Sequence, residues 1–233
     1  MELRLLSTDA ERQIFARRLV EARATKGAGF SETKRSLIGE VHLKYGRLYA
    51  LCDEQSANPN EMIAGFAVHD LATFPQSYPK PDLSHLPPES VLECGELWAI
   101  AAGGARLARH AGSILAGILQ AQALLVYPIL KPWNLSYMYT PFNRIGEPIE
   151  WPYIRTLEGG KIFVQAMVLE GNALQRTVED ARSFGYEAID EDRLIRFNSP
   201  FPICSRQLEE RRNGGVWRRQ PAAVPAPLER VAA

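Results

Sequence analysis

The chain has 233 residues, 46% hydrophobic and 23% charged, the balance of a globular protein rather than a disordered or fibrous one. Equal numbers of basic and acidic side chains, 27 of each, leave no overall field to draw it to nucleic acid or an anionic membrane. Three cysteines, Cys52, Cys94 and Cys204, lack Cys-x-x-Cys spacing, which argues against a disulfide framework or a thiolate zinc site and fits a reducing compartment. No apolar run reaches the ~18–20 residues that span a bilayer, and Glu2 and Arg4 interrupt the first stretch, unlike a signal peptide. The expectation is a soluble cytoplasmic protein.

Residues 1–6, MELRLL, alternate with Leu3 and Leu5 on one side and predict a short strand. Thr8-x-x-Glu11 is a capping box, and Ile14, Phe15, Leu19 and Ala22 follow at helical spacing; Gly27 and Gly29 end that segment. Residues 34–45 fit a helix or a strand. Residues 47–52 and 62–69, RLYALC and MIAGFAVH, predict an antiparallel hairpin across the turn at Asn58-Pro59-Asn60. Five prolines within residues 75–88 predict a surface loop, because proline neither donates to a ladder nor continues a helix. Residues 91–100 predict the next strand, Gly103-Gly104 break it, and an Ala- and Leu-rich helix is expected from 105 to 126. Residues 134–140, NLSYMYT, and 161–169, KIFVQAMVL, predict strands. A helix over 172–184 is stopped by Gly185, and 194–203 predict a last strand.

From Ser205 the character changes: six Arg stand against three Glu, and Pro221, Pro225 and Pro227 sit among alanines. This predicts a flexible tail over residues 205–233 behind one domain over 1–204. Within that domain strands and helices mix without the regular alternation of a doubly wound parallel sheet. The expected class is α+β, a largely antiparallel sheet flanked by helices.

Residues 91–117, VLECGELWAIAAGGARLARHAGSILAG, carry most of the chemistry. An apolar strand holds Glu93 and Glu96, then Gly103 and Gly104 release the chain into a helix that begins with Arg106, Arg109 and His110. Free N–H groups at a helix start attract an anion, glycine lets it approach, and arginine adds charge-assisted hydrogen bonds. Neither the Walker A spacing nor Gly-x-Gly-x-x-Gly is present. His42, His69 and His85 have no ligand spacing, so no metal is expected. Alternation sets Cys94 and Glu96 on the face opposite Glu93, so only one of the two carboxylates faces a given cleft and the other is solvated or paired. Cys94 reads as a small core residue. Phe15, Phe66, Trp98 and Trp133 fit either an acyl tunnel or an ordinary core.

Arg109-His110-Ala111-Gly112-Ser113-Ile114 resembles the Arg/Gln-x-x-Gly-x-Gly/Ala loop with which GNAT N-acetyltransferases cradle the pyrophosphate of acyl-CoA. A longer pattern narrows the likeness. Arg12-x-x-Phe15, IAGFAVHD, the proline-rich loop, ECGELWAI from Glu93, FNRIGEP and GGKIFVQAMVLE resemble, in that order, acyl-homoserine-lactone synthases and N-acyl amino acid synthases. Gly95 and Glu96 replace the Ser-Arg of their fourth-strand motif. The segment between Ala123 and Gly146 is short for a fifth strand plus a fourth helix.

The resemblance implies a GNAT-type sheet and transfer of an acyl group from acyl-CoA or an acyl carrier protein to a small amine, with no metal. An amine must lose a proton to attack a thioester, which requires a base nearby. Glu93 is the implied base, Glu96 the second carboxylate, and Tyr139, on one strand face with Tyr137, a proton donor to the leaving thiol. Backbone groups of Leu97, Trp98, Ala99 and Ile100 would hold the thioester arm. Gly103, Gly104, Arg106, Arg109, His110, Gly112 and Ser113 would hold the donor's phosphates. The opposing class is a non-catalytic module of the same fold that binds an acyl thioester.

Overall fold

Leu48, Ala50 and Cys52 of one short strand pack to one side of a sheet and Tyr49 and Leu51 to the other, so the sheet is covered on both faces. The computed structural model describes residues 1–24, 28–30, 46–52, 62–73, 80–100, 104–132, 134–139, 141–183 and 185–197. The readings made for 34–45, for the 53–60 turn and for the 205–233 tail lie outside these residues. In chain order the elements are β1 (Glu2–Leu5), α1 (Asp9–Ala24), β2 (Ala28–Phe30), β3 (Arg47–Cys52), β4 (Ala64–Asp70) and β5 (Val91–Ala99). Then come α2 (Gly104–Ile118), β6 (Ala123–Val126), β7 (Ile129–Lys131), β8 (Asn143–Thr156), β9 (Lys161–Glu170), α3 (Gly171–Ser183), β10 (Tyr186–Asp190) and β11 (Leu194–Phe197).

The strands form one mixed sheet in the order β10-β11-β1-β3-β4-β5-β6-β9-β8-β2, with β7 also on β9. Every pairing is antiparallel except β5 with β6. The hairpin predicted from residues 47–52 and 62–69 is present as β3–β4, with Arg47 opposite Val68 and Leu51 opposite Ala64. Helix α1 covers one face through Phe15, Leu19 and Ala22. Helices α2 and α3 cover the other through Ala108, Ala111, Ile114, Leu115, Leu174, Val178 and Ala181. The two helices touch where a side chain at Gly117 would meet Val178 Cγ1 at 2.6 Å, so only glycine lets them approach.

Helix α1 starts as its capping box requires: the Glu11 N–H donates to Thr8 Oγ1 at 3.2 Å and the Thr8 N–H to Glu11 Oε2 at 3.0 Å. The helix expected over 105–126 is divided in two. It stops at Ile118, and Ala123–Val126 is a strand buried on both faces, a run whose apolar pattern does not separate helix from strand. The stop is a Schellman turn, in which the Ala121 N–H reaches the Ala116 carbonyl (2.9 Å) and the Gln120 N–H the Gly117 carbonyl (3.3 Å). Gln120 occupies the left-handed position that glycine usually fills, with φ 54°. Gln120→Gly is therefore expected to raise stability by about 1 kcal/mol in urea unfolding.

The strand expected over 134–140 is instead a 3-10 turn, Ser136–Tyr139, with the Asn134 side chain accepting from the Ser136 N–H and hydroxyl. Such local side-chain bonds compete with a strand ladder. Strand β8 was not expected because Pro148 and Pro152 interrupt it. Pro148 falls where the register with β9 shifts, between Ile145 and Ile149, and the Gln165 amide donates to the Ile145 and Gly146 carbonyls at 3.0 and 3.1 Å to hold that irregularity.

At the other edge, the β10–β11 hairpin is pinned by charge. Buried Glu2 accepts from Arg4 (2.6 Å) and Arg196 (3.1 Å), and Asp192 accepts from the Tyr49 hydroxyl and from Arg47, both at 2.9 Å. Burial pulls the Glu2 carboxyl up, and the two arginines more than reverse it, leaving it below its ordinary value. A depressed carboxyl contributes stability above its unfolded pKa of about 4.3 and loses it as pH falls through the folded value. Glu2→Gln is thus expected to be less stable than the parent at pH 7, with the gap closing in acid. Guanidinium unfolding midpoints of the two proteins compared across pH check this.

Candidate active site

The site is built on an interruption of β5. Its register against β4 runs His69 opposite Glu93, Val68 opposite Cys94 and Ala67 opposite Gly95, then shifts so that Gly65 faces Trp98. Two residues, Glu96 and Leu97, therefore lie opposite Phe66 alone, and Glu96 takes φ 51°, a strained conformation for a side-chain-bearing residue. Beyond this bulge Leu97 and Ala99 join the α2 face with Leu92 and Cys94, and Trp98 joins the α1 face.

Strand β5 also parts from its parallel neighbour. Val91, Leu92 and Glu93 pair with Ala123, Leu124 and Leu125, and the ladder ends there. Strand β6 continues onto β9, with Val126 opposite Met167. The two strands diverge like a wedge with Glu93 at its apex, the bulge on one arm and Tyr127 at the end of the other. Splayed backbone of this kind offers N–H groups to a ligand rather than to a neighbouring strand.

Glu93 is 2% exposed, and a buried carboxylate must be held by its surroundings. Space for it comes from Gly95: a side chain there would lie 3.0 Å from Glu93 Oε1. On the α2 face Cys94 packs against the core cluster, and burial first and then the Glu93 charge push its thiol up to about 12, as fits a small core residue. Tyr127 is raised by burial and then by Glu93. Glu96 is 9% exposed, so of the two alternatives, solvated or paired, it is not solvated, and the bulge removes it from the strand's alternation.

Tyr139 lies on the 3-10 turn, partly buried against the cluster on the α2 face. It packs edge-on against Phe142, with ring centroids 5.6 Å apart. Burial raises its phenol first, the Cys94 thiol adds to this, and Arg23 and Arg109 oppose it. The ring packs against the cluster that Leu92 of β5 shares with Ala108 and Ala111 of α2. The side chains of Tyr137 and Arg106 lie outside the description, as does Trp133. Phe15 and Trp98 meet edge to face at 5.5 Å under α1, and Phe66 stacks on Tyr49 at 5.7 Å; both pairs are core.

Helix α2 begins at Gly104, so the amides without intrahelical partners belong to its first turn. Residues 109–114 lie further in. Gly112 packs close to Cys94, at 3.3 Å from its sulfur for an added side chain, the Ser113 hydroxyl donates to the Arg109 carbonyl at 3.3 Å, and Ile114 is core. His110, Gly112 and Ser113 stand beyond the first turn of α2, where backbone N–H groups bond within the helix, so the free amides expected to receive an anion are confined to the Gly104 turn. From sequence His69 is weighed only as a metal ligand and Tyr127 not at all; that His69 lies opposite Glu93 is legible only once the β4–β5 register is known.

The mostly antiparallel sheet flanked by helices, ordered β1-β3-β4-β5-β6-β9-β8 through its centre, agrees with the GNAT-type sheet that the resemblance implied. The chain has the GNAT acetyltransferase fold. Spermidine N-acetyltransferase from Vibrio cholerae, in complex with CoA and spermine, is similar over 74% of this chain and 96% of its own, with TM-score 0.50 and 12% identity. FeeM, an N-acyl amino acid synthase from uncultured soil microbes, matches over 78% of this chain and 94% of its own, with TM-score 0.49 and 12% identity. No protein-family model and no curated protein sequence matches. Between β6 and β8, among the described residues, this chain carries β7 and the 3-10 turn, in the segment that is short for a strand plus a helix. Among the described residues no three His, Cys, Asp or Glu are grouped to hold a metal, and no helix is long and apolar enough to cross a membrane.

Proposed function

We propose that the protein is an N-acyltransferase that moves an acyl group from a thioester, acyl-CoA or acyl carrier protein, to a small amine such as an amino acid. The observation that carries this reading is the buried Glu93 at the apex of the β5–β6 wedge, beside the bulge. The fold's occurrence in an acetyltransferase with bound CoA supports the donor class. Glu93 accepts a proton from the amine, directly or through one water. The amine nitrogen then attacks the thioester carbon, and amides of Leu97–Ala99 at the bulge stabilise the oxyanion; the Ile100 N–H, expected to join them, donates instead to the Ile63 carbonyl at 2.9 Å. Collapse breaks the C–S bond; the thiolate takes a proton from Tyr139, and the tyrosinate recovers one from the nitrogen of the collapsing intermediate, leaving an amide and a free thiol. The donor's phosphates rest on the first turn of α2, at Gly104 and Arg106, with Arg109 one turn on.

The test is thiol release from a panel of acyl-CoA donors with pooled amines and amino acids. Amine-dependent release supports transfer. Donor binding without release or N-acyl product favours the binding-module reading. A double Arg106→Ala, Arg109→Ala variant is expected to weaken donor binding at least ~10-fold, more at low salt than at high, since each charge-assisted contact contributes roughly 1.5–3 kcal/mol before desolvation. Isothermal titration with the donor checks this, and an unchanged affinity would move the phosphates elsewhere.

A further inference from the structure

His69 is 4% exposed and is the direct cross-strand partner of Glu93. Alternation along β4 puts Ala64, Phe66 and Val68 on the α2 face, so His69 shares the opposite face with Ala67. Alternation along β5 puts Glu93 on that face too, with Val91. Directly opposed residues on one face have Cβ atoms ~4.5–5.5 Å apart, within reach of an imidazole–carboxylate hydrogen bond. Apolar residues line this face of the sheet: Leu125 beside Glu93 on β6, Leu71 and Leu83 from the segments flanking β4 and β5, and Phe15, Leu19 and Ala22 on the inward side of α1. Tyr127 is the titratable group that responds to Glu93 on this side, Cys94 responds from the other face, and Glu96 lies beyond Gly95. Two buried polar groups set opposite each other among hydrocarbon satisfy each other or pay desolvation twice.

We propose that His69 is the positioning residue of the base: its ring N–H donates to one carboxylate oxygen of Glu93, so that the other faces the wedge. The proposal rests on the reading of Glu93 as base. In the reaction His69 neither gains nor loses a proton; the amine proton goes to the wedge-facing oxygen of Glu93. Holding the carboxylate this way keeps it ionised until the amine arrives and fixes its direction.

Two measurements test it. The first follows the His69 ring by NMR across pH in the parent and in Glu93→Gln, with no substrate. The His69 midpoint is expected to fall by about one pH unit or more when the carboxylate is replaced; an unchanged midpoint overturns the pairing. The second compares His69→Leu and His69→Gln with an acyl-CoA and amine pair that the parent turns over. Leucine should lower kcat at least ~10-fold with donor KM unchanged, and glutamine, which still donates an N–H, should recover most of it. Equal loss in both variants overturns the positioning role. No turnover in the parent would overturn the acyltransferase reading, while the NMR titration still decides whether His69 and Glu93 are paired.

Discussion

Glu93→Gln is expected to lower kcat/KM for acyl transfer by about 10²–10⁴-fold while donor affinity stays within about twofold. The amide has the shape of the carboxylate and fits the space that Gly95 leaves, so the fold is undisturbed. What is lost is the only step that needs a base, removal of the amine proton. The defect should therefore shrink as pH rises toward the acceptor's own pKa, where solution supplies free amine. A pH profile of kcat/KM for both proteins checks this. Equal activity at neutral pH would show that another group, with Glu96 the first candidate, takes the proton.

Gly65→Ala carries the largest expected cost in stability. The added carbon would stand 2.7 Å from Phe15 Cε2 and 2.8 Å from Trp98 Cε2 and Nε1. Neither ring is a flexible end that can swing away: Phe15 and Trp98 are fully buried and braced edge to face. This contact fastens α1 to the sheet one strand from the bulge, so relief must come from moving the helix or the strand. A loss of about 3 kcal/mol is expected, at the upper end for overpacking, read as a lower urea midpoint with unchanged slope. A loss under about 0.5 kcal/mol would mean that the two rings yield freely.

Much of the fold was legible because local signals and tertiary packing agree. The Thr8–Glu11 box, the Gly185 stop and the hairpin of residues 47–52 with 62–69 were each legible, and each is found. The failures have identifiable causes. Gln120 in a position usually held by glycine concealed the end of α2, and Ala123–Val126, apolar on both faces, carries no period. Asn134 diverted residues 136–139 into a turn through side-chain bonds, and the prolines of β8 masked a strand that tolerates them at a register shift. At the site, Glu93 was readable as a carboxylate in an apolar strand. The relation of Glu96 to it was not, because a bulge depends on the register with β4 and leaves no periodic mark. His69 escaped for the same reason: its partner is 24 residues away in sequence and adjacent only through the antiparallel ladder.

The central claim is direct transfer of an acyl group to an amine nitrogen at the β5–β6 wedge. It is tested most directly by incubating the protein with acyl-CoA labelled with carbon-13 in the acyl group and a pooled set of amines, and weighing the products. The account predicts labelled N-acyl amine formed in step with free CoA thiol by the parent, and almost none by Glu93→Gln. Label released only as the free acid, or retained on CoA while the donor remains bound, would contradict it.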